Sequence, residues 1–305
     1  MDAPSAFRAA ERTYKRFRGR PASTLPFDDV VDVRSADARL RPVRDGVFEL
    51  ARGVSGLYVL PCALDAPTQT SLVADCLSAY VWPPQHTSLD ASVDMAAVGN
   101  VFAALRDGTP LPRSMLRVRA APGGEAPEMG RAEAIALVRR MRWATLGMHY
   151  DWTAKVYPGL IDELHVDAPF PPRLAQLAET IMAAFQPGWR AQAGIVNMYQ
   201  VGDSLTGHVD RAEADLSAPL LSLSLGAPCV FLVGGREKSE PVVPVLLRSG
   251  DALVMAGDAR LAFHGVPCVL AAEHGMAATD STSALALDIL GAGRININVR
   301  QVRAS

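Results

Sequence analysis

The sequence predicts an α+β protein in which an α-rich N-terminal half lies over a β-rich C-terminal core. Amphipathic segments at helical spacing dominate the first part of the chain, and short apolar segments separated by Gly, Pro and Asp dominate the rest. Such a series of short strands favours an antiparallel sandwich or a barrel-like double sheet. The 305 residues, 49% of them hydrophobic, can bury a large core, and the composition argues against disorder or a fibrous repeat.

The first predicted unit, residues 1–45, consists of a basic helix and a linker. AFRAAERTYKRFRGR has six basic residues and one acid, and Phe7, Tyr14 and Phe17 recur at helical spacing on one face. The helix could dock through this aromatic face, contact nucleic acid through its basic residues, or act as an organelle-targeting segment. Residues 21–45 lack periodicity, so we expect a loop that tethers the helix to the body.

The second unit, residues 46–189, is predicted to be α-rich. FELARGVSGLYVLPCAL indicates a pair of strands, and WATLGMHYDW indicates an extended aromatic segment. Helices are expected in DAPTQTSLVADCLSAY, with Asp65 or Thr68 as N-cap, at 88–106, in RAEAIALVRRMR and in PPRLAQLAETIMAAF.

The third unit, residues 190–305, is predicted to be the β core. Its strands are expected in QAGIVNMYQV, PLLSLSLG, PCVFLVGG, VVPVLLRSGD, ALVMAGD, LAFHGVPCVL, SALALDIL and RININVRQV.

Composition also bears on location and partners. The four cysteines, Cys62, Cys76, Cys229 and Cys268, form no CxxC pair, and we interpret them as reduced residues of an intracellular protein, whether nuclear, cytoplasmic or mitochondrial. No secretory signal and no apolar run of about 18 residues is present, so neither secretion nor a membrane span is expected. The net charge of -2 means that nucleic-acid binding would depend on a local basic patch. We expect a monomer.

The stretch SLTGHVDRAE puts a histidine and an aspartate two residues apart in a predicted strand. Side chains alternate along a strand, so His208 and Asp210 share a face. They could be a structural hydrogen-bonded pair, half of a catalytic dyad, or two metal ligands. The last option needs a third ligand, because a 2-His-1-carboxylate triad binds non-haem Fe(II). His264 in RLAFHGVP lies on a later predicted strand and is the candidate, whereas His274 falls in a loop.

The final predicted strand, RININVR, places Arg294, Asn296, Asn298 and Arg300 on one face. Two arginines directed into a β core require anions, because an unpaired buried charge costs several kcal/mol. A dicarboxylate cosubstrate would supply them, since a guanidinium can bind a carboxylate through two hydrogen bonds.

Four segments together resemble the core of the AlkB family of Fe(II)- and 2-oxoglutarate-dependent dioxygenases: NMYQVGDSLTGHVDRAE, PLLSLSLGAPCVFLVGG, SGDALVMAGDARLAFHGVP and RININVRQV. Upstream, AFRAAERTYKRF, GLYVLPCAL and LGMHYDWTAKVYPG resemble the eukaryotic AlkB homologue-one branch. The resemblance implies a double-stranded β-helix (jelly-roll) core, an α-rich N-terminal extension and a nucleotide-recognition lid. It also implies an enzyme that uses Fe(II), 2-oxoglutarate and O2, with iron held by His208, Asp210 and His264.

The same resemblance implies a set of cosubstrate-binding residues. Asn197 and Tyr199 match residues that hydrogen-bond 2-oxoglutarate, and Arg294 matches the arginine that pairs with its distal carboxylate. Asn296 and Arg300 match residues beside its other end.

Substrate contacts are less well defined by the sequence. Tyr150 and Trp152 in MHYDW could stack on a base, although such aromatics are often core residues. The bacterial type has an acid two residues beyond the metal aspartate, where this chain has Ala212, and the nearest acid is Glu213.

The implied activity is oxidative demethylation of N-methylated bases, methyladenine above all, in tRNA or DNA, with release of formaldehyde and succinate. Two alternatives remain open at this stage: the same iron chemistry on a protein, histone or lipid, and a non-catalytic nucleic-acid-binding protein with a relict site.

Overall fold

The computed structural model describes residues 5–116, 128–162, 167–272 and 275–304. His274 therefore lies outside the described residues.

The described residues contain strands that form two large sheets and one small two-stranded sheet. Their bounds are β1 (Val31–Asp32), β2 (Leu40–Arg44), β3 (Val47–Leu50), β4 (Leu57–Leu60), β5 (Leu111–Pro112), β6 (Glu128–Met129), β7 (Trp143–Gly147), β8 (Ala193–Tyr199), β9 (Leu205–His208), β10 (Leu220–Gly226), β11 (Cys229–Val233), β12 (Val243–Leu247), β13 (Ala252–Met255), β14 (His264–Val269) and β15 (Arg294–Arg300). The larger sheet has the order β2-β3-β4-β13-β10-β15-β8-β7, the smaller one has the order β1-β12-β11-β14-β9, and β5 pairs with β6.

The helices in the described ranges surround these sheets. They are α1 (Ala6–Lys15), α2 (Ala66–Asp75), α3 (Met95–Val98), α4 (Val101–Asp107), α5 (Arg131–Arg139), α6 (Pro172–Met182) and α7 (Ser281–Leu290). None of them has the length and apolar character needed to cross a bilayer.

The two large sheets pack face to face, and each outer face is covered by helical structure. Between the sheets, apolar side chains such as Leu253 of β13 and Phe231 of β11 form one core. The outer face of the larger sheet packs on α2, α5, α6 and α7 through residues such as Leu221 and Ile289. The outer face of the smaller sheet is covered by α1 and the segment that follows it. This is the expected double-stranded β-helix with an α-rich extension.

The aromatic face of α1 is buried against the smaller sheet. Phe7, Tyr14 and Phe17 are at most 7% exposed, and they pack with residues of β11, β12 and β14. The docking interpretation of this helix is therefore confirmed, because burial of the apolar stripe fixes the helix to the sheet.

The predicted strand SALALDIL is wrong: this segment is the helix α7. The Asp280 carboxylate accepts from the backbone N–H of Ser283 at 2.7 Å, and the Ser283 hydroxyl accepts from the N–H of Asp280 at 3.0 Å. This reciprocal cap starts a helix rich in Ala and Leu, which are good helix formers. A short apolar run does not distinguish a buried strand from a buried helix, and here the cap decides.

Residues 21–45 also differ from the expected tether. Val31 of β1 pairs in parallel with Val245 of β12, and β2 pairs with β3 at the edge of the larger sheet. The segment is thus part of both sheets.

The single helix expected at 88–106 is instead two short helices, α3 and α4. The second helix starts separately, because the side chain of Asn100 caps its N-terminus.

Candidate active site

Two neighbouring strands bring the three candidate metal ligands together. β9 and β14 pair in antiparallel fashion with His208 opposite His264, and the two imidazole rings lie 4.4 Å apart between centroids. Asp210 lies just beyond the end of β9. Its carboxylate oxygens are 3.7 Å from the Nε2 atom of His208 and 3.9 Å from that of His264. One potential ligand atom from each residue lies within 4.8 Å of the others.

Glycines beside both histidines allow this close approach. A Cβ atom at Gly207 would lie 2.3 Å from the Phe7 ring, and one at Gly265 would lie 2.9 Å from the carbonyl oxygen of Leu205. Any larger residue at these positions would push α1 or β9 away from β14. The pairs Gly207–His208 and His264–Gly265 therefore fix the separation of the two imidazoles.

Hydrogen bonds to backbone carbonyls orient both imidazoles. The Nδ1 atom of His208 lies 3.0 Å from the carbonyl oxygen of Thr206, and that of His264 lies 3.1 Å from the carbonyl oxygen of Ala262. A carbonyl can only accept, so each Nδ1 carries the proton and donates it. Each Nε2 atom then faces Asp210, so in the neutral imidazole form its lone pair converges with the carboxylate oxygens. A metal cation satisfies such an arrangement, and ligating histidines are commonly held in this way.

The charge states also fit a metal centre. Burial, with a further contribution from His208, lowers the pKa of His264 to about 4. Burial by itself would raise the pKa of Asp210, but Arg300 and then the two histidines hold it well below its ordinary value. At neutral pH the site therefore presents a neutral imidazole and an ionised carboxylate, the forms that bind metal.

A buried ionic network supports Asp210. The Nη2 atom of Arg300 donates to Asp210 Oδ2 at 2.6 Å, and its Nε atom lies 3.1 Å from Glu213 Oε1. Glu213 also accepts from Arg260 at 2.9 Å and from the Tyr157 hydroxyl at 3.3 Å. Its side chain is 2% exposed.

Glu213, which the sequence analysis places near the substrate, thus has two ionic partners in the structure. One of its carboxylate oxygens faces Arg300 and the other faces Arg260. The same residue also belongs to the lining of the large cavity beside His208.

Arg294 has a different environment at the other end of β15. Its Nη2 atom donates to the hydroxyl of Ser224 at 2.9 Å and its Nη1 atom to the carbonyl of Ala227 at 3.4 Å, while Nε has no partner. Within the described residues no carboxylate pairs with this guanidinium, although the side chain is buried. An anion-sized ligand would complete it.

A narrow cavity of about 30 Å³ connects Arg294 with the two histidines of the triad. It lies between the two sheets, and its lining includes His208, His264, Tyr199 and Asn296. Asn296 already donates to Ser222 at 2.8 Å and to the carbonyl of Leu223 at 3.0 Å.

A much larger cavity of about 710 Å³ opens on the other side of His208 and Asp210. Asn197 and Arg300 contribute to its lining, as do two aromatic residues, Tyr150 and Trp152. Their rings pack edge to face with centroids 4.8 Å apart, and Trp152 is 43% exposed. Three exposed cations, Lys155, Arg211 and Lys238, also line this cavity. The triad thus separates a small slot from a wide, positively charged mouth.

Comparison with known proteins identifies the class. The 2OG-Fe(II) oxygenase superfamily matches residues 56–300, so the chain belongs to it. The His-Asp-His group is suited to the iron of that superfamily, and the protein is a dioxygenase that uses Fe(II), 2-oxoglutarate and O2.

Relatives identify the branch as that of AlkB homologue one. The DNA N(6)-methyladenine demethylase ALKBH1A of Arabidopsis thaliana is 32% identical, with 98% of this chain and 96% of the relative aligned. The tRNA demethylase abh1 of Schizosaccharomyces pombe is 29% identical over 100% and 98% of the two chains. A solved structure of OsALKBH1 shares the fold, with a TM-score of 0.50, 20% identity, and coverage of 86% of this chain and 99% of that chain. The expected family, fold class and cofactors are confirmed.

Several residues around the triad were not found from the sequence. Arg260 is 2% exposed, and besides Glu213 it donates to the carbonyl oxygens of Asp210 and Ala218 at 2.8 and 3.0 Å. Its position four residues before His264 was the available signal, since an arginine next to an apolar strand needs a partner. Glu11 was not found either. It contacts Gly207 of β9, the strand that carries His208, and the sequence gives no sign of this contact because the two residues are far apart along the chain.

Proposed function

We propose that this protein oxidatively demethylates N-methylated adenine in tRNA or DNA, at a centre where His208, Asp210 and His264 hold Fe(II). The observation that carries the proposal is the convergence of three potential metal-ligand atoms, from two imidazoles and a carboxylate, at the base of a wide cavity that has aromatic and cationic walls. The names of the relatives, a DNA N(6)-methyladenine demethylase and a tRNA demethylase, support the choice of substrate.

Bound Fe(II) would supply the oxidation: 2-oxoglutarate loses carbon dioxide and takes one oxygen atom of O2 to become succinate, and the other oxygen atom enters a C–H bond of the N-methyl group. The resulting hydroxymethyl amine releases formaldehyde and leaves the unmodified base. The contribution of the chain is to bind, orient and exclude water.

The residues assigned to 2-oxoglutarate are Arg294, Asn197, Tyr199, Asn296 and Arg300. The guanidinium of Arg294, which has no protein carboxylate in the described chain, is suited to the distal carboxylate. The Nη2 atom of Arg300 is used by Asp210, whereas Nη1 and Nε have no hydrogen-bond partner, although Nε lies 3.1 Å from Glu213 Oε1. The Nη1 atom is therefore the nitrogen that we assign to the other end of the cosubstrate.

The wide cavity is assigned to the methylated nucleotide. A base inside a duplex cannot reach the metal, so the nucleotide must be unpaired or flipped into the cavity. Trp152 and Tyr150 offer faces on which a base can stack, and Lys155, Arg211 and Lys238 surround them with positive charge for the neighbouring phosphates.

The test is to incubate the protein with Fe(II), 2-oxoglutarate and one of three substrates: methylated tRNA, a methylated DNA oligonucleotide, or a methylated peptide. We expect formaldehyde and unmodified adenosine, detected by mass spectrometry, from a nucleic acid and not from the peptide. Trp152→Ala should raise the KM for nucleic acid without changing the KM for 2-oxoglutarate. His264→Ala should abolish both demethylation and 2-oxoglutarate turnover.

Each contrary outcome identifies a different error. Formaldehyde from the peptide alone would transfer the same iron chemistry to a protein substrate. Absence of 2-oxoglutarate turnover in a protein that binds metal would indicate a relict site and would refute catalysis.

A further inference from the structure

The metal-bearing strand β9 lies at an open edge of the smaller sheet. β14 pairs with one side of it, and no other strand in the described residues pairs with the opposite side. An edge strand presents unpaired backbone groups and is held by one neighbour only. β9 is also short, ending at His208, and its register with β14 shifts between His264 and Val266. The position of the His208 imidazole therefore depends on whatever covers this edge.

The helix α1 covers it. The carboxylate of Glu11 accepts from the backbone N–H of Gly207 at 2.8 Å, and Phe7 packs directly on Gly207. The helix and the turn that follows it are both anchored, because the N–H of Phe7 in α1 donates to the carbonyl of Lys238 at 3.0 Å and the guanidinium of Arg18, just after α1, donates to Ser204 Oγ at 2.7 Å.

Glu11 is an unusual residue for this position. Its side chain is 6% exposed, and its other partner, Arg8 at 3.0 Å, is 51% exposed. A pair in which one member is so exposed contributes little to stability, so it does not account for burying a carboxylate. Burial of the Glu11 carboxylate does allow its charge-assisted hydrogen bond with the N–H of Gly207, the residue before His208.

We propose that Glu11 is a positioning residue for the metal centre: its carboxylate takes the place of a neighbouring strand and fixes the backbone that presents His208. The proposal rests on the proposed metal site. Without the acceptor, the Gly207 N–H loses its partner, β9 can move away from β14, and the distance between the two imidazoles is no longer set. The metal affinity should fall as it does when a group that orients a ligand is removed, about ten-fold.

The test measures binding of Co(II), as a spectroscopic substitute for Fe(II), to the full chain. Glu11→Ala should raise the Kd for Co(II) about ten-fold and change the cobalt absorption spectrum. Glu11→Gln keeps an oxygen acceptor and should bind like the wild type. Hydrogen exchange of the metal-free protein should be faster in the peptide that contains Gly207 for Glu11→Ala and not for Glu11→Gln.

A matched control separates positioning from general stability. Asp280→Ala removes the N-cap of α7 on the opposite layer, a loss of the kind that destabilises a protein without touching the triad. It should lower the melting temperature and leave the Kd for Co(II) unchanged. An equal change in Kd for Glu11→Ala and Asp280→Ala, or no change in either, overturns the proposal.

If Glu11→Ala does not fold, Glu11→Asp provides the test. It keeps the charge but shortens the side chain by one methylene, which withdraws the carboxylate from Gly207. Weaker Co(II) binding than in Glu11→Gln supports the proposal, and equal binding overturns it. Wild-type protein that binds no Co(II) would instead refute the metal site and the proposed function.

Discussion

Two arginines at opposite ends of β15, Arg294 and Arg300, are equally buried but have different partners. Arg300 is paired with Asp210 and Glu213, so the protein supplies its anions. Arg294 has a serine hydroxyl and a backbone carbonyl, and within the described chain no carboxylate. Burial alone therefore does not reveal what an arginine does. One belongs to the internal charge balance that holds a metal ligand, and the other is prepared for an external anion.

The largest effect on activity is expected from replacing Asp210, the carboxylate that pairs with Arg300. Asp210→Ala should abolish 2-oxoglutarate turnover and metal binding, because it removes the carboxylate of the triad. The fold should survive, since Arg300 keeps Glu213 as a partner and the core is apolar. Activity and the thermal transition are the two measurements. Loss of cooperative melting would contradict the separation of the site from the core.

Exchanging each arginine for a residue of similar volume tests the comparison directly. Arg300→Met leaves the buried Asp210 without its counter-charge and should lower the free energy of unfolding by about 3–5 kcal/mol. Arg294→Met removes a buried charge that has no carboxylate partner in the described residues, so the free energy of unfolding should stay the same or rise. Denaturant unfolding of the metal-free proteins provides both values. Equal losses in the two variants would show that the partners do not matter.

The stability of the protein should also depend on pH, through the triad residue His264. The pKa of His264 is about 4 in the folded protein and about 6.5 in an unfolded chain, so the unfolded state binds more protons between these values. Stability of the metal-free protein should therefore fall as the pH falls from about 6.5 to about 4, by about 3 kcal/mol from this residue. His264→Asn should lose less stability than the wild type over the same interval in urea unfolding. Identical pH profiles would rule out a depressed pKa.

Replacement of Arg294 should have the smallest effect on the stability of the protein. Its effect should instead appear as weaker binding of the cosubstrate. Arg294→Ala should raise the KM for 2-oxoglutarate roughly a hundred-fold, corresponding to a lost charge-assisted contact of about 2–4 kcal/mol. Arg294→Lys keeps the charge without the two-pronged geometry and should lie between. Co(II) binding should be unchanged in both. An unchanged KM in the alanine variant would remove 2-oxoglutarate from this slot.

The chemistry of the site could be predicted from short segments because local periodicity carries it. The spacing of His208 and Asp210 and the alternation in RININVR place side chains on shared faces before any tertiary structure is known. The same reasoning failed for SALALDIL, where an apolar run fits a strand or a buried helix and the cap at Asp280 selects the helix.

Neither the partners of Glu213 nor the location of α1 could be predicted in this way. In the sequence Glu213 is only the acid nearest to Ala212, and the structure surrounds it with Arg260, Arg300 and Tyr157. The aromatic face of α1 indicates docking, but not that it docks on the strand that ends at His208. Deleting the helix would thus disturb the metal strand as well as remove basic charge.

The sequence by itself determined the strand series, the ligand types and the face on which each side chain lies, because these depend on neighbours a few residues apart. Only the tertiary structure decided which charges neutralise one another and what covers the edge of β9, because those contacts join residues far apart in sequence. Glu11 and Gly207 are separated by 196 positions, and their hydrogen bond exists only once both sheets and the helix are assembled.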